Sequence, residues 1–227
     1  GENGFFHGYT SDPDPDALVA DLGDRFDVTE TGIKPYACCR ANHSAIDAAL
    51  ALRDEVDVQA IRRIEVEIYE TGMVLVGEPV ERKQSPDSVV DAQFSLPFAI
   101  AVSLLRGEPT IDRYVSQVIQ DEEIRSLMRK VHPVASEEYE RAYPDEWPAT
   151  VRLHTDTGTI EREVRLPRGE PERPLSWAEL SAKFRRMVDG TIDDPESVVE
   201  TVKGIEDSRA RELTEKLSSG SRSSGDG

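Results

Sequence analysis

The chain has 227 residues, a length that suits one or two domains with a buried core. Its 45 acidic residues outnumber its 27 basic ones, and the net charge of −18 argues against nucleic acids and anionic membranes as partners. No apolar run approaches the roughly 20 residues that span a bilayer, so we expect a cytoplasmic protein.

The basic residues are unevenly divided between 21 arginines and 6 lysines. An acidic, lysine-poor composition is typical of proteins dissolved in concentrated salt, because dense carboxylates hold water where ions compete for it. An ordinary acidic protein from a GC-rich genome would have a similar composition. We therefore interpret the chain as salt-adapted and keep the ordinary acidic protein as the alternative.

The first quarter of the chain predicts loops that lead into a helix. Asp16 can cap a short helix over residues 17–22, and residues 26–31 favour a short extended segment. The residue before Pro35 is pushed away from helical dihedrals, so Lys34 should be extended or in a turn. Apolar residues at helical spacing then predict a helix over residues 43–56.

The middle of the chain predicts one strand followed by helices. Apolar and charged residues alternate over residues 61–69, which is typical of a half-buried strand. Pro97 either kinks the first of these helices or marks a new helix that Ser95 caps. The helices cover residues 89–105, 111–119 and 122–131.

The last part of the chain predicts strands, a loop and further helices. The predicted strands cover residues 131–139, 149–155 and 159–166. After a loop over 167–174, Ser176 and Glu179 form a capping box for the next helix. More helices begin near Pro195 and cover residues 210–217, and the Ser/Gly-rich tail from 218 on should be disordered. Grouped helices and hairpin-linked strands favour an α+β fold, an antiparallel sheet with helices packed on one face.

The densest polar motif of the chain runs from Lys34 to His43. It places Lys34, Arg40 and His43 at the start of a helix, where free N–H groups and the helix dipole favour anions. Lys34 and Arg40 therefore predict a clamp for a polycarboxylate, and His43 could carry a proton near neutral pH. The alternative is a structural role for all three residues.

Other chemically active residues are weaker candidates. His132 and His154 favour surface or packing roles, and His7 could belong to a site completed upstream. Cys38 and Cys39 are the only cysteines, which leaves no disulfide framework and no zinc site of usual spacing. Two small buried residues are the preferred interpretation of this pair. We find no metal motif and no phosphate-binding glycine loop.

At this motif the sequence resembles the MmgE/PrpD family, which includes 2-methylcitrate dehydratase, cis-aconitate decarboxylase and an iminodisuccinate epimerase. The resemblance rests on residues 1–6, 33–40 (Ile-Lys-Pro-Tyr-Ala-Cys-Cys-Arg), His43, 46–48, 85–86 and 91–97 (Asp-Ala-Gln-Phe-Ser-Leu-Pro). It covers roughly residues 1–205. Family members are about twice as long as this chain, so we expect the chain to be the C-terminal part.

The resemblance implies a domain organisation and a partner. Residues 1–56 would be the junction to a missing helical domain, residues 57–205 the α+β C-terminal domain, and residues 206–227 a helical end with a disordered tail. The active site would lie between the two domains of a homodimer that uses no metal or other cofactor. We also expect Phe5, Phe6 and one face of the 43–56 helix to be exposed where the helical domain docks.

The resemblance also implies a function and site residues. The expected activity is removal of water from a hydroxy-tricarboxylate such as 2-methylcitrate. Decarboxylation or epimerisation of a related polycarboxylate, or a fragment without activity of its own, are the alternatives. Lys34 and His43 would be catalytic. Substrate-binding roles would fall to Arg40, Tyr36, Cys39 and Gln93. The decarboxylase branch has a histidine where this chain has Cys39, which makes decarboxylation the less favoured chemistry.

Overall fold

A computed structural model describes residues 4–12 and 14–218, except for the side chain of Leu18. The chain forms two compact units, residues 1–32 and residues 33–227. The contacts therefore divide the chain after Gly32, whereas the resemblance placed the end of the junction at residue 56. The predicted disordered tail lies outside the described residues from 219 on.

The first unit contains a short helix and two 3₁₀ turns. They are α1 (Phe5–Tyr9), Asp16–Leu18 and Asp27–Glu30. The extended segment predicted over 26–31 is wrong, because two threonines stabilise a turn there. The Thr29 hydroxyl donates to the Phe26 carbonyl at 2.7 Å, and the Thr31 hydroxyl donates to the Asp27 carbonyl at 3.2 Å. Phe5 is 73% exposed, as expected at this end, whereas Phe6 is partly buried.

A four-stranded sheet organises the second unit. Its strands are β1 (Ile61–Tyr69), β2 (Val131–Ser136), β3 (Ala149–Thr155) and β4 (Gly158–Val164), in the order β2-β1-β3-β4. β1 pairs with β3 and β3 with β4 in antiparallel fashion, but β1 and β2 are parallel. The α+β class is confirmed, and the expectation of a purely antiparallel sheet is wrong. The helical crossover between β1 and β2 is long enough for a parallel pair.

The helices of the second unit are mostly short. They are α2 (His43–Leu52), α3 (Glu70–Gly72), α4 (Val80–Lys83), α5 (Val89–Gln93), α6 (Leu96–Arg106), α7 (Ser116–Ile119), α8 (Glu122–Met128), α9 (Glu137–Ala142), α10 (Trp177–Val188), α11 (Pro195–Lys203) and α12 (Ala210–Ser218). A π-helical turn, Met73–Gly77, follows α3. 3₁₀ turns cover Arg40–Asn42, Arg53–Glu55, Val58–Ala60, Ile111–Arg113 and Ile205–Asp207. None of these helices in the described part of the chain is long and apolar enough to cross a membrane.

The core lies between one face of the sheet and the central helices. Ile64, Val66 and Ile68 of β1 lie opposite Leu153, Val151 and Ala149 of β3, and all six side chains are buried. α2 packs on β3, β4 and α6. Eight of its ten residues are buried. The expectation that one face of this helix is exposed is therefore wrong, because the sheet and α6 cover it.

Two helix starts agree with the sequence in detail. The Ser95 hydroxyl accepts a hydrogen bond from the Phe98 N–H at 3.0 Å, so α6 is a new helix with Pro97 in its first turn. Of the two interpretations of Pro97, a new helix capped by Ser95 is confirmed. The capping box of Ser176 and Glu179 is also present and begins α10. β2 differs from its prediction, because the chain turns helical at Glu137 and forms α9.

Candidate active site

A cleft of about 410 Å³ lies beside the motif that begins at Lys34. Its lining residues are Lys34, Pro35, Tyr36, Ala37, Cys38, Cys39, Gln93, Phe94, Thr110, Ile111, Lys183, Arg186 and Met187. Three of them are cations and none is acidic. In a chain with a net charge of −18, this is a local excess of positive charge. Such a cleft favours anionic ligands.

Lys34 lies outside the helices and strands, in a segment that lines the cleft. Its ammonium is near the Cys38 carbonyl, at 3.4 Å, and the side chain is exposed. The Ile33 N–H donates to the Gly169 carbonyl at 2.7 Å, which fixes the segment to a loop after β4. Gly169 has φ +91°, and a Cβ there would lie 2.0 Å from the Ile33 carbonyl oxygen. Only glycine permits this close approach.

Lys183 and Arg186 supply the other two cations of the cleft. They lie three residues apart on α10, so they share one side of that helix. The Lys183 ammonium donates to the Lys34 carbonyl at 2.7 Å, which joins α10 to the Lys34 segment. Neither residue was among the site residues predicted from the sequence. Their only sequence signal is the spacing of three, and on an amphipathic helix this spacing normally indicates a solvated face.

The cleft cations carry no carboxylate partners in the part of the chain that the structure describes. Lys34, Lys183 and Arg186 form no ion pair there within 4 Å. By contrast, many arginines of the chain are paired with Asp or Glu, as Arg168 is with Glu108 at 2.6 Å. Asp112 interacts electrostatically with Arg186 without forming such a pair, and Glu108 and Glu179 line a smaller neighbouring pocket together with Lys183 and Arg186. The cleft therefore offers three cations that have no direct ion-pair partner among the described residues.

Tyr36 lines the cleft, but its hydroxyl donates to the Asp47 carboxylate at 2.5 Å. Burial and the Asp47 charge raise the pKa of Tyr36 above its ordinary value. The phenol is therefore fixed as a donor to Asp47. It does not titrate near neutral pH.

Gln93 and Cys39 both line the cleft and are joined through the backbone. The Gln93 side chain donates to the Ala37 carbonyl at 2.9 Å. The Cys39 N–H donates to the Gln93 carbonyl, also at 2.9 Å. Gln93 thus anchors the cleft segment to α5. Cys39 is a free, partly buried thiol, whereas Cys38 is buried, and that burial raises the pKa of Cys38 to about 11.

His43 lies behind the cleft and not in its lining. The side chain is buried, its ring meets that of Tyr36 edge-on at 5.1 Å, and it hydrogen-bonds to the Cys38 backbone. Burial, with a smaller contribution from Lys34, lowers the pKa of His43 to about 3. The imidazole is therefore neutral at physiological pH. Its role as a proton carrier stays a prediction.

Arg40 is likewise not among the lining residues of the cleft. Its guanidinium forms an ion pair with Glu170 and lies 5.2 Å from the ring centroid of Trp147. The Glu170 side chain is 10% exposed, so this pair is largely buried. The geometry gives Arg40 a partner within the chain, and its substrate-binding role stays a prediction.

Among the described residues no group of three or more His, Cys, Asp or Glu side chains could hold a metal ion. The reactive groups in and next to the cleft are its three cations, the Cys39 thiol, the Gln93 amide and the buried His43 imidazole.

Comparison with known proteins identifies the family. Residues 36–207 match the family model described as the MmgE/PrpD C-terminal domain. The chain belongs to the MmgE/PrpD family. The match includes Tyr36, Gln93 and both α10 cations, and it begins two residues after Lys34.

Curated relatives of this MmgE/PrpD chain are decarboxylases by name. A cis-aconitate decarboxylase-like protein of Aspergillus oryzae is 25% identical over 194 residues, which cover 82% of this chain and 40% of that protein. Cis-aconitate decarboxylase of Mus musculus is 26% identical over 202 residues, 80% of this chain and 38% of the mouse protein. The enzyme of that name from Aspergillus terreus is 25% identical, with 84% and 39% covered. The chain spans about two fifths of the length of these relatives.

Proposed function

We propose that this chain contributes the carboxylate-binding half of a lyase that acts on a small di- or tricarboxylate. The observation that carries the proposal is the cleft in which Lys34, Lys183 and Arg186 converge without an acidic lining residue. Membership in the MmgE/PrpD family supports the same reading, because three relatives of the chain are named as cis-aconitate decarboxylases or as similar to one.

The first proposed reaction is removal of water from a hydroxy-tricarboxylate such as 2-methylcitrate. This elimination needs a base for the carbon-bound proton, an acid for the departing hydroxide and cations that hold the carboxylates. Lys34, Lys183 and Arg186 would hold the carboxylates, and Gln93 would orient the substrate. His43 would move a proton only through a rearrangement that brings its ring to the cleft. The remaining acid–base groups would come from outside this chain.

Decarboxylation of cis-aconitate is the second candidate, and the names of the curated relatives favour it. The same cations would hold the carboxylates that are retained. Against it stands Cys39, which occupies the position where the resemblance places a histidine in the decarboxylase branch. A partly buried thiol is a poorer proton donor to a carbanion than an imidazolium. Epimerisation of a polycarboxylate would use the same residues without loss of a group.

We also propose a protein partner for this chain. A helical domain or subunit would close the cleft and supply the missing acid–base groups, and the assembly would be a homodimer. The rim of the cleft carries exposed apolar side chains at Phe94, Ile111 and Met187, with 42%, 49% and 63% of their surface accessible. Apolar surface of this kind suits a protein contact more than free solvent.

The test is a substrate screen on the chain together with its helical half, in one polypeptide or as a co-expressed subunit. 2-Methylcitrate, citrate and cis-aconitate are supplied in turn, while enoate absorbance and released CO₂ are recorded. Dehydration gives rising absorbance without CO₂, and decarboxylation gives CO₂ from cis-aconitate. Activity on none of these or of related di- and tricarboxylates would refute the proposal.

A further inference from the structure

The buried carboxylate of Asp47 joins the cleft to the loop that follows the sheet. The side chain lies on α2 and is 4% exposed. It accepts hydrogen bonds from the Tyr36 hydroxyl at 2.5 Å, the Arg168 backbone N–H at 2.7 Å and the Arg173 guanidinium at 2.8 Å. A buried carboxylate needs such donors to be tolerated. Here they come from two separate segments of the chain.

These two segments hold Lys34 between them. Tyr36 lies two residues after Lys34, and the Ile33 N–H, one residue before it, donates to the Gly169 carbonyl at 2.7 Å. Gly169 directly follows Arg168, whose N–H is bound by Asp47. Both ends of the short Lys34 segment are therefore fixed, directly or through one loop, to the same carboxylate.

The connection continues to the cations of α10. The Arg168 guanidinium lies 5.6 Å from the Tyr36 ring centroid and pairs with Glu179, in the first turn of α10, at 3.2 Å. One turn further along that helix, the Lys183 ammonium donates to the Lys34 carbonyl at 2.7 Å. The position of α10, and with it Lys183, is thus coupled to the loop that Asp47 binds.

We infer that Asp47 is a positioning residue of the proposed polycarboxylate site. It fixes the spacing between Lys34 and the α10 cations without entering the cleft, where a carboxylate would compete with the ligand. A ligand with two or three carboxylates needs cations at a fixed separation, and holding them there in advance reduces the entropy lost on binding. The inference rests on the proposed function for its ligand, but not for the geometry that it describes.

Asp47→Asn is the informative variant. Asparagine keeps the size of the side chain but has a single accepting oxygen, so its NH₂ group replaces either the oxygen that accepts from Tyr36 or the one that accepts from Arg168 and Arg173. Asp121→Asn is a matched control, since Asp121 also accepts from two backbone N–H groups, at 2.8 and 3.3 Å, and from an arginine, at 3.2 Å. Asp121 caps α8 and is not among the lining residues of the cleft. Both variants lose the same kind of interaction at different places.

Calorimetry measures citrate binding to the 227-residue chain. A second measurement follows hydrogen exchange of the backbone amides within residues 33–39. We expect Asp47→Asn to raise the citrate Kd about tenfold and to speed exchange at Ile33 and Ala37, while Asp121→Asn changes the Kd less than about twofold. Tyr36→Phe should raise the Kd by about threefold. Because Tyr36 acts through Asp47, the double variant should bind no more weakly than Asp47→Asn alone.

Several outcomes would overturn the inference. The first is a folded Asp47→Asn variant that binds citrate as tightly as the wild type. The second is an equal rise in the citrate Kd in Asp47→Asn and Asp121→Asn. The third is a double variant in which the effects of Asp47→Asn and Tyr36→Phe on the free energy of binding add in full. If Asp47→Asn does not fold, Tyr36→Phe decides alone, and an unchanged Kd counts against the inference. If the wild-type chain binds no polycarboxylate, the proposed function fails instead. Exchange at Ile33 and Ala37 then decides the positioning role, which unchanged rates in Asp47→Asn would refute.

Discussion

The cleft and the outer face of the sheet both concentrate charge, but they do so in opposite ways. On the outer face, Arg152 pairs with Glu65, Glu67 and Glu161 at 3.2, 2.8 and 2.8 Å. Hydrogen bonds to Glu67 and Glu161 raise the pKa of this arginine, so its charge is fully engaged. In the cleft, Lys34 and Lys183 donate to backbone carbonyls and, among the described residues, to no carboxylate.

This contrast indicates where an anion would bind in the protein. A strongly acidic chain neutralises most of its arginines internally, and a cation with several carboxylate partners has little attraction left for a ligand. The number of basic residues in a motif therefore says less than whether each one already has a partner. Arg40 illustrates this, since it stands in the motif but pairs with Glu170.

The largest effect should follow removal of the Lys34 charge. Lys34→Met keeps the length of the side chain, and we expect a loss of activity of about 100-fold or more in the assembled enzyme, equivalent to about 3 kcal/mol. Lys130→Met is the matched control, because the Lys130 ammonium also donates to a carbonyl, that of Ile61 at 2.6 Å, outside the cleft lining. Steady-state kinetics on both variants decide. Near wild-type turnover in Lys34→Met would make the motif structural.

The next effect concerns His43, which burial and, to a smaller extent, the charge of Lys34 keep neutral. Its pKa is about 3 in the folded chain against an ordinary value near 6.5, so the unfolded chain binds one more proton between these values. Stability is therefore lost as the pH falls below about 6.5, by about 2 kcal/mol between pH 7 and pH 5. His43→Gln should lack this component. Equal losses in both proteins, measured by urea unfolding, would contradict the assignment.

Breaking the outer-face cluster should affect stability alone. Arg152→Met leaves three glutamates close together, and we expect a loss of about 1–2 kcal/mol in the free energy of unfolding. Citrate affinity should stay within about twofold of the wild type, since Arg152 is not part of the cleft. Calorimetric binding and urea unfolding on the same sample test both statements. Weaker citrate binding in this variant would remove the distinction between the two regions.

The smallest effect should come from salt. The net charge of −18 implies repulsion among surface carboxylates, and at 1 M salt the Debye length falls to about 3 Å. We expect the thermal midpoint to rise by about 2–4 °C between 0.1 and 3 M chloride, equivalent to about 1 kcal/mol. A flat or falling midpoint would speak against salt adaptation.

Local sequence patterns predicted the elements whose causes are local. The alternation over β1 and the caps Ser95 and Ser176 are set by neighbours in sequence, and all three agree with the structure. The parallel pairing of β1 with β2 could not be predicted, because alternation identifies a buried face and says nothing about the strand alongside. The prediction of an extended segment at 26–31 was wrong because hydrogen bonds from threonine hydroxyls to nearby carbonyls outweighed the β propensity of these residues.

The candidate site was predictable only in part for the same reason. Residues 34–39 and Gln93 line the same cleft. Lys183 follows Lys34 by 149 positions, and Glu170, which neutralises Arg40, follows Arg40 by 130, so only the fold reveals these contacts. The burial of His43 was equally hidden, because the sheet and α6 that cover α2 come later in the chain.

We expect the three cleft cations to bind a polycarboxylate. The heat of citrate binding to the 227-residue chain, measured at pH 7 and low ionic strength, decides whether they do. We predict a Kd below about 1 mM for citrate, no measurable heat for acetate, and about tenfold weaker citrate binding by Lys183→Met. Citrate binding that Lys183→Met leaves unchanged, or acetate binding as tight as that of citrate, would contradict the claim.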